Sequence, residues 1–343
     1  MPFRRWLDWY AASCGDPRRG AAPVKLIVVA ALGLCLAVYL VSYVGFGAVV
    51  SAAVAVGWGG FTLLCLYGLA QLVVLGYAWR VLMPAPGVCI RIFVWGRMVR
   101  EAATDVLPFS QLGGIVLGAR TASVHGIPAP SVFASTIVDV TTELLAQIAF
   151  IAFGLAILVV HAPHGGSAAS LTRFSVLGLV LALAAGGVFL ALQRFGHNLT
   201  LKLAERLLPR AVASTAAVGE ELDRIYASRP RVAASAAVHL LGWIAGAIGS
   251  WIAFRLIGVH IDLASVIAIE SLVSAAKSAA VIVPNALGVQ EATYAALVPL
   301  FGVSAPFGLA LSLLKRARDI ALGVPILLVS HVLEGRRALP RRI

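Results

Sequence analysis

Asp139 and Glu143 stand four residues apart in the apolar run 131–160, and Lys315, Arg316, Arg318 and Asp319 crowd the middle of the apolar run 304–333. A spacing of four places both carboxylates on one face of a helix. A charge at bilayer depth costs on the order of 2.5–3.5 kcal/mol on insertion scales, so such groups turn inward and pair. The expected pairing joins the two halves of the chain, Asp139 and Glu143 meeting Lys315, Arg316 or Arg318. Cation left over from that pairing, with Lys277 and Arg120, could hold an anionic head group such as a phosphate. Arginine would do so through two parallel hydrogen bonds and lysine as a point charge. The alternative is that the pairs only staple the halves together.

The elements that would position these groups are broken ones. The stretch 92–128 carries Pro108, Gly113 and Gly114, and the stretch 262–303 carries Pro284 and Gly288, with Asn285, Gln290 and Glu291 beside the break. Both are too interrupted for a plain membrane span, and each reads as a hairpin that enters and leaves on one side. Irregular backbone at membrane depth is tolerated only where protein or a wet cavity surrounds it. Helix N-termini released at Pro108 and Pro284 would add a favourable dipole for an anion.

The two stretches repeat each other. A shift of 176 positions (284 − 108 = 176) lays Pro108 on Pro284, Gly126 on Gly302, Pro130 on Pro306, Asp139 on Lys315 and Glu143 on Asp319, without a gap. Pairs of Pro/Gly-interrupted segments at matching places in two halves are the sequence pointer to a transporter's binding site.

Composition sets the class. Of 343 residues, 60% are hydrophobic and 12% charged, against about 25% charged in soluble chains; the mean hydropathy is +0.95. Apolar runs of the roughly 20 residues needed to cross a bilayer recur. The expectation is an all-α integral membrane protein with about six full transmembrane helices and two re-entrant hairpins. The spans fall near 25–44, 61–83, 131–160, 174–192, 232–257 and 304–333. The uncharged stretch 45–60 reads as an outer loop. Residues 1–24 read as a cytoplasmic tail without a cleavable signal, 25–333 as one transmembrane domain, and 334–343 as a basic cytoplasmic tail. Repeat 1 covers about 92–160, and repeat 2 about 262–333. Between them, 194–231 is a basic amphipathic segment that lies on the inner membrane surface or forms a plain inside loop.

The net charge of +12 could suggest nucleic acid. Most of the 27 Lys and Arg, however, sit in segments assigned to one side of the membrane, as topology signals do, which places both termini inside. Three crossings separate the hairpins, so one opens inward and the other outward, and the repeat is inverted.

Enzyme signatures are missing: no HExxH, Walker A or GxSxG occurs. Cys14, Cys35, Cys65 and Cys89 lack metal spacing, and His161 with His164 is too few ligands for a metal site. No cofactor or metal is expected. His239 within a span is a mild functional hint; a histidine satisfied by a backbone carbonyl is the commoner case.

Pro284-x-x-x-Gly288-x-x-Glu291, followed by the Lys315-Arg316 helix, resembles the transmembrane region of the lysylphosphatidylglycerol synthase/flippase family. Val94-Trp95-Gly96-Arg97-x-x-Arg100-Glu101, Leu107-Pro108-Phe109-Ser110-Gln111 and Asp139-Val-Thr-Thr-Glu143-Leu-Leu-Ala-Gln147 are similar to one branch of it, the hopanoid-biosynthesis-associated HpnL branch. The resemblance implies a bacterial inner-membrane protein that moves a lipid or lipid-linked intermediate. An intramembrane enzyme or accessory subunit of hopanoid synthesis is the alternative. The aminoacyltransferase domain of the full synthases is not expected. A membrane lipid, anionic or polyprenyl-phosphate-linked, is the expected partner; protein partners would be a second copy or hopanoid-pathway enzymes. The head-group residues are taken as Arg120, Asp139, Glu143, Lys277, Asn285, Gln290, Glu291, Lys315, Arg316, Arg318 and Asp319. The helix breaks are taken as Pro108, Gly113, Gly114, Pro284 and Gly288.

Overall fold

The computed structural model describes residues 46–83, 88–107, 110–161, 212–280, 284–286 and 288–338, with isolated positions at 180, 184 and 187. The expected N-terminal tail and span 25–44, most of the span 174–192, residues 194–211, Pro108 and the last residues of the C-terminal tail lie outside them. Every element among the described residues is helical.

The helices are α1 (Phe46–Leu82), α2 (Ile90–Val106), α3 (Ser110–Ser123), α4 (Ala129–His161), α5 (Val212–Ala227), α6 (Arg229–Leu256), α7 (Leu263–Ala279), α8 (Val289–Leu297) and α9 (Ala305–Ala338). Short 3₁₀ turns at Pro284–Ala286 and Val298–Phe301 flank α8. Three stretches are long and apolar enough to cross a membrane: Val56–Leu82, Ala129–Leu158 and Arg229–Leu256. The chain is therefore a membrane protein in which α1, α4 and α6 provide the apolar pillars. With 34 residues α9 is as long, but its centre carries four charges.

The stretch 45–60 is not a loop. The helix begins at Phe46 and bends at Gly57, whose φ of 75° and ψ of 155° lie outside the helical region. Ser51 is the one polar side chain in this apolar, Ala- and Val-rich run, and at Gly57 only glycine takes that conformation without steric cost.

The broken segments are helical hairpins. α2 and α3 have 17 and 14 residues, about 25 and 21 Å long at 1.5 Å per residue; neither reaches across ~30 Å of hydrocarbon. The break before α3 starts at Leu107, in extended conformation at φ −97° and ψ 141°. Gly113 and Gly114 are not hinge residues: both lie inside α3. Gly114 serves close packing instead, since a Cβ there would come 2.6 Å from the carbonyl oxygen of Arg100 on α2. Gly118 is alike, 2.9 Å from the Gly96 carbonyl oxygen.

In the second half α7 has 17 residues and α8 has 9. The connection turns through Asn285 and Ala286, both at positive φ, and Gly288 at φ 79°. Asp262 caps α7 by accepting the Ser265 N–H at 2.9 Å.

Two landmarks of the halves keep the 176-residue shift. α4 starts at Ala129 and α9 at Ala305, and 305 − 129 = 176. Gly126 and Gly302, 176 apart, both have positive φ, 92° and 77°. Each long helix packs against the hairpin of the other half as well as its own: α9 against α2 and α8, α4 against α7 and α3. α6 packs against α4, α7 and α9 and so ties the halves together.

α5 does not simply lie apart on a surface. Val218, Leu222, Ile225 and Tyr226 pack against a cluster that includes Ala134 and Val138 of α4. Ser228 ends the segment, and Pro230 in the first turn of the next helix suits a position that needs no N–H donor.

Candidate functional site

Between α1, α2, α4, α6, α7, α8 and α9 lies a cavity of about 220 Å³. One part of its wall is apolar, with Leu72, Leu75, Phe150, Trp243, Leu322 and Ile326; Phe150 and Trp243 stack with centroids 5.9 Å apart. The rest is charged. Lys277, Lys315 and Arg318 face Glu101, Asp105, Glu270 and Asp319. Three cations against four carboxylates leave a formal charge of −1.

The charges are arranged in three groups. In the first, α2 meets α4. Arg97 Nη1 donates to Asp139 Oδ2 at 3.2 Å and Arg100 Nη1 to the same oxygen at 2.9 Å. Glu143 takes Arg97 Nη2, and Arg100 Nη2 at 2.7 Å. Arg97 Nη2 also reaches Glu101 Oε1 at 2.9 Å. His239 on α6 closes the group, with Nε2 2.9 Å from Asp139 Oδ1.

In the second, Lys315 Nζ donates to Glu270 Oε2 at 2.8 Å, to Tyr294 Oη at 2.8 Å and to Ser250 Oγ at 3.2 Å, while Tyr294 donates to Glu270 Oε1 at 2.5 Å. In the third, Arg316 holds Glu291 through Nε at 2.5 Å and Nη2 at 3.2 Å. Glu291 also accepts the Gly288 N–H at 2.9 Å, which fixes the start of α8.

The ion pairs therefore form within each half. Asp139 and Glu143 take arginines from α2, and Lys315 takes a carboxylate from α7. The correspondence survives with its sign reversed. At the place where α4 carries Asp139, α9 carries Lys315, and each is bonded to the first helix of its own hairpin. The expected pairing of Asp139 and Glu143 with Lys315, Arg316 or Arg318 does not occur, because α2 offers two arginines directly opposite the α4 carboxylates.

Of the residues singled out from the sequence, Lys277, Gln290, Lys315, Arg318 and Asp319 line the cavity. Gln290 is held by its Nε2 donating to Ser312 Oγ at 2.8 Å. Arg318 donates twice to Asp319 Oδ1, at 2.9 and 2.7 Å. Asn285, Glu291 and Arg316 do not line it and form the ordered break instead; Asn285 Nδ2 donates to the Asp105 carbonyl oxygen at 2.9 Å, linking the two hairpins. Asp139 and Glu143 are outside the cavity, in the first group. Arg120 is exposed in the last turn of α3 and away from the cavity.

Glu101, Asp105 and Glu270 were missed. Glu101 and Asp105 carry a signal, since their spacing of four puts them on one helix face just before the Pro108 break.

Residues 24–326 match the family described as lysylphosphatidylglycerol synthase TM region. The chain belongs to that family. It is a membrane-domain family linked to lipid metabolism or flipping, which agrees with a polar cavity walled by apolar helices. No curated protein and no solved structure matches the chain.

Proposed function

We propose that the protein is a lipid translocase of the bacterial inner membrane, a carrier and not an enzyme, that passes a lipid head group through the central cavity. The observation that carries this reading is the cavity itself. Seven charged side chains from α2, α7 and α9 line it, between helices otherwise apolar enough to cross a membrane. Intramembrane charges in such numbers mark substrate pathways.

The lining refines the substrate. An anionic or polyprenyl-phosphate-linked head group was the expectation from the basic residues alone. With four carboxylates against three cations, a head group bearing both a phosphate and an ammonium fits better. Lys277, which has no ion-pair partner among the described residues, would meet the phosphate, and Asp105 the ammonium. At about 220 Å³ the cavity is below the ~300–1,000 Å³ typical of drug-sized ligands. It suits a small head group with the acyl chains left in the bilayer.

The two hairpins would be re-entrant from opposite faces, with both termini cytoplasmic, and the inverted repeat would give alternating access. The similarity of the 94–101 and 139–147 strings to the HpnL branch supports a lipid of hopanoid or envelope metabolism as the physiological cargo.

The test is reconstitution into liposomes with fluorescently labelled phosphatidylethanolamine, phosphatidylglycerol, a polyprenyl phosphate and an amino-hopanoid, each quenched from outside by a membrane-impermeant reductant. Faster exposure of a lipid carrying both charges than in protein-free liposomes is expected. Equal rates with and without folded protein for all four lipids would overturn the reading.

A further inference from the structure

Among the described residues, two buried side-chain atoms have no hydrogen-bond partner: Nε of Arg97 and Nδ1 of His239. Both belong to the α2–α4–α6 ion cluster. His239 is 0% exposed and Asp139 1%, so the imidazole is closed off. Its Nε2 is engaged by Asp139. With the Nε2 hydrogen donated to that carboxylate, Nδ1 is left as an unoccupied lone pair. An imidazole oriented by a carboxylate with its second nitrogen free is arranged to accept a proton.

The cluster's charge says when it would do so. Arg97 and Arg100 face Asp139, Glu143 and Glu101, two cations against three carboxylates. A neutral imidazole leaves the group at −1, and an imidazolium brings it to zero. Uncompensated charge in a closed site is the costly arrangement.

Among the described residues the other charges nearby are engaged or exposed: Arg318 of α9 is paired with Asp319 at 2.7 Å, and Arg229, Arg231 and Arg255 lie at the ends of α6. α1 contributes the neutral Gln71, bonded to the Gly242 carbonyl oxygen. On α5, Arg224 is paired with Glu221 at 2.6 Å, and Glu220 and Asp223 are exposed. On α7, Glu270 is held by Lys315 of α9, and Lys277 faces the cavity.

One member of the cluster is shared with the cavity. Glu101 is 28% exposed, bonds Arg97 at 2.9 Å and lines the cavity. We propose that His239 is a proton-binding site exchanged against the cationic part of the head group through Glu101. An ammonium in the cavity draws the Glu101 carboxylate off Arg97. The remaining cluster is then neutral without a proton, the Nδ1–H bond breaks, and the proton passes to water admitted from the cavity where Glu101 has moved out. When the ammonium leaves, Glu101 returns to Arg97 and Nδ1 takes a proton up. One zwitterionic head group in and one proton out is an antiport that moves one net charge per cycle, which would let a proton gradient drive the lipid. By linkage, proton binding weakens head-group binding by the same factor. The exchange rests on the head-group reading above; the proton site does not.

The full-length protein, labelled with ¹⁵N-histidine in detergent, tests the site without any transport. The His239 signal is assigned by its loss in His239→Gln. An imidazolium signal that grows as the pH is lowered is expected in the wild type, and its loss in Glu101→Gln. A His239 that stays neutral between about pH 5 and 8, or that ignores Glu101→Gln, overturns the proposal. For the exchange, dioctanoyl phosphatidylethanolamine is mixed with wild-type protein in weak buffer. Proton release is expected, absent in His239→Gln and absent with dioctanoyl phosphatidylglycerol. No release, or equal release in the variant, overturns the exchange. If His239 titrates with Glu101 while no lipid moves in liposomes, the translocase reading fails and the proton site stands.

Discussion

At the scale of single residues, the choice of ion-pair partner sets how the helices meet. Arg97 is 1% exposed and holds three carboxylates. Removing one partner of a buried ion pair costs about 3–5 kcal/mol, because the other charge stays behind. Arg97→Met should therefore lower thermal stability in detergent by an amount of that size. Pairing within halves makes a second prediction. The double variant Asp139→Lys with Lys315→Asp should be no more stable than the worse of its single variants, since the two residues do not meet. Glu270→Lys with Lys315→Glu should recover stability relative to either single change, read from the same melting curves. The presence of buried charge was legible in the sequence, because Asp139, Glu143 and Lys315 interrupt apolar runs. The pairing was not. Arg97 and Arg100 read as loop cations by the positive-inside pattern, and only folding α2 against α4 turns them inward.

At the scale of elements, Pro108 lies outside the described residues, and the glycines expected at the breaks divide into two kinds. The second break does fall at Pro284–Gly288, where Gly288 has a φ of 79° and begins α8. Gly113 and Gly114 look like a flexible pair, yet both are helical. What distinguishes them is the partner helix, which no local pattern encodes. Gly113 has nothing within 4 Å of a built Cβ, while Gly114 abuts α2. Gly114→Ala should destabilise by about 1–3 kcal/mol through overpacking. Gly113→Ala should leave the melting temperature unchanged or raise it, since alanine is the better helix former by about 1 kcal/mol. Equal effects at the two positions would contradict the close α2–α3 contact.

At the scale of the whole molecule the repeat was the most legible feature, because a shared register is a property of spacing and survives when residue types change. The same shift that aligns Pro108 with Pro284 aligns the starts of α4 and α9 and the two positive-φ glycines. The cavity was less legible. Its lining draws residues from seven helices, and its carboxylates Glu101, Asp105 and Glu270 balance cations that, counted alone, suggest a purely anionic cargo. Each long helix packs on the other half's hairpin as well as its own, so the two halves interlock around the cavity.

The central claim, that the cavity carries a lipid head group, is tested most directly by the transbilayer rate of labelled phosphatidylethanolamine in liposomes containing wild-type protein or Lys277→Ala. A charge-assisted contact is worth about 1.5–3 kcal/mol, so the variant should move the lipid at least about tenfold more slowly while its melting temperature is unchanged. A wild-type rate in the variant would contradict a head group seated against Lys277, and a wild-type rate equal to that of protein-free liposomes would contradict translocation itself.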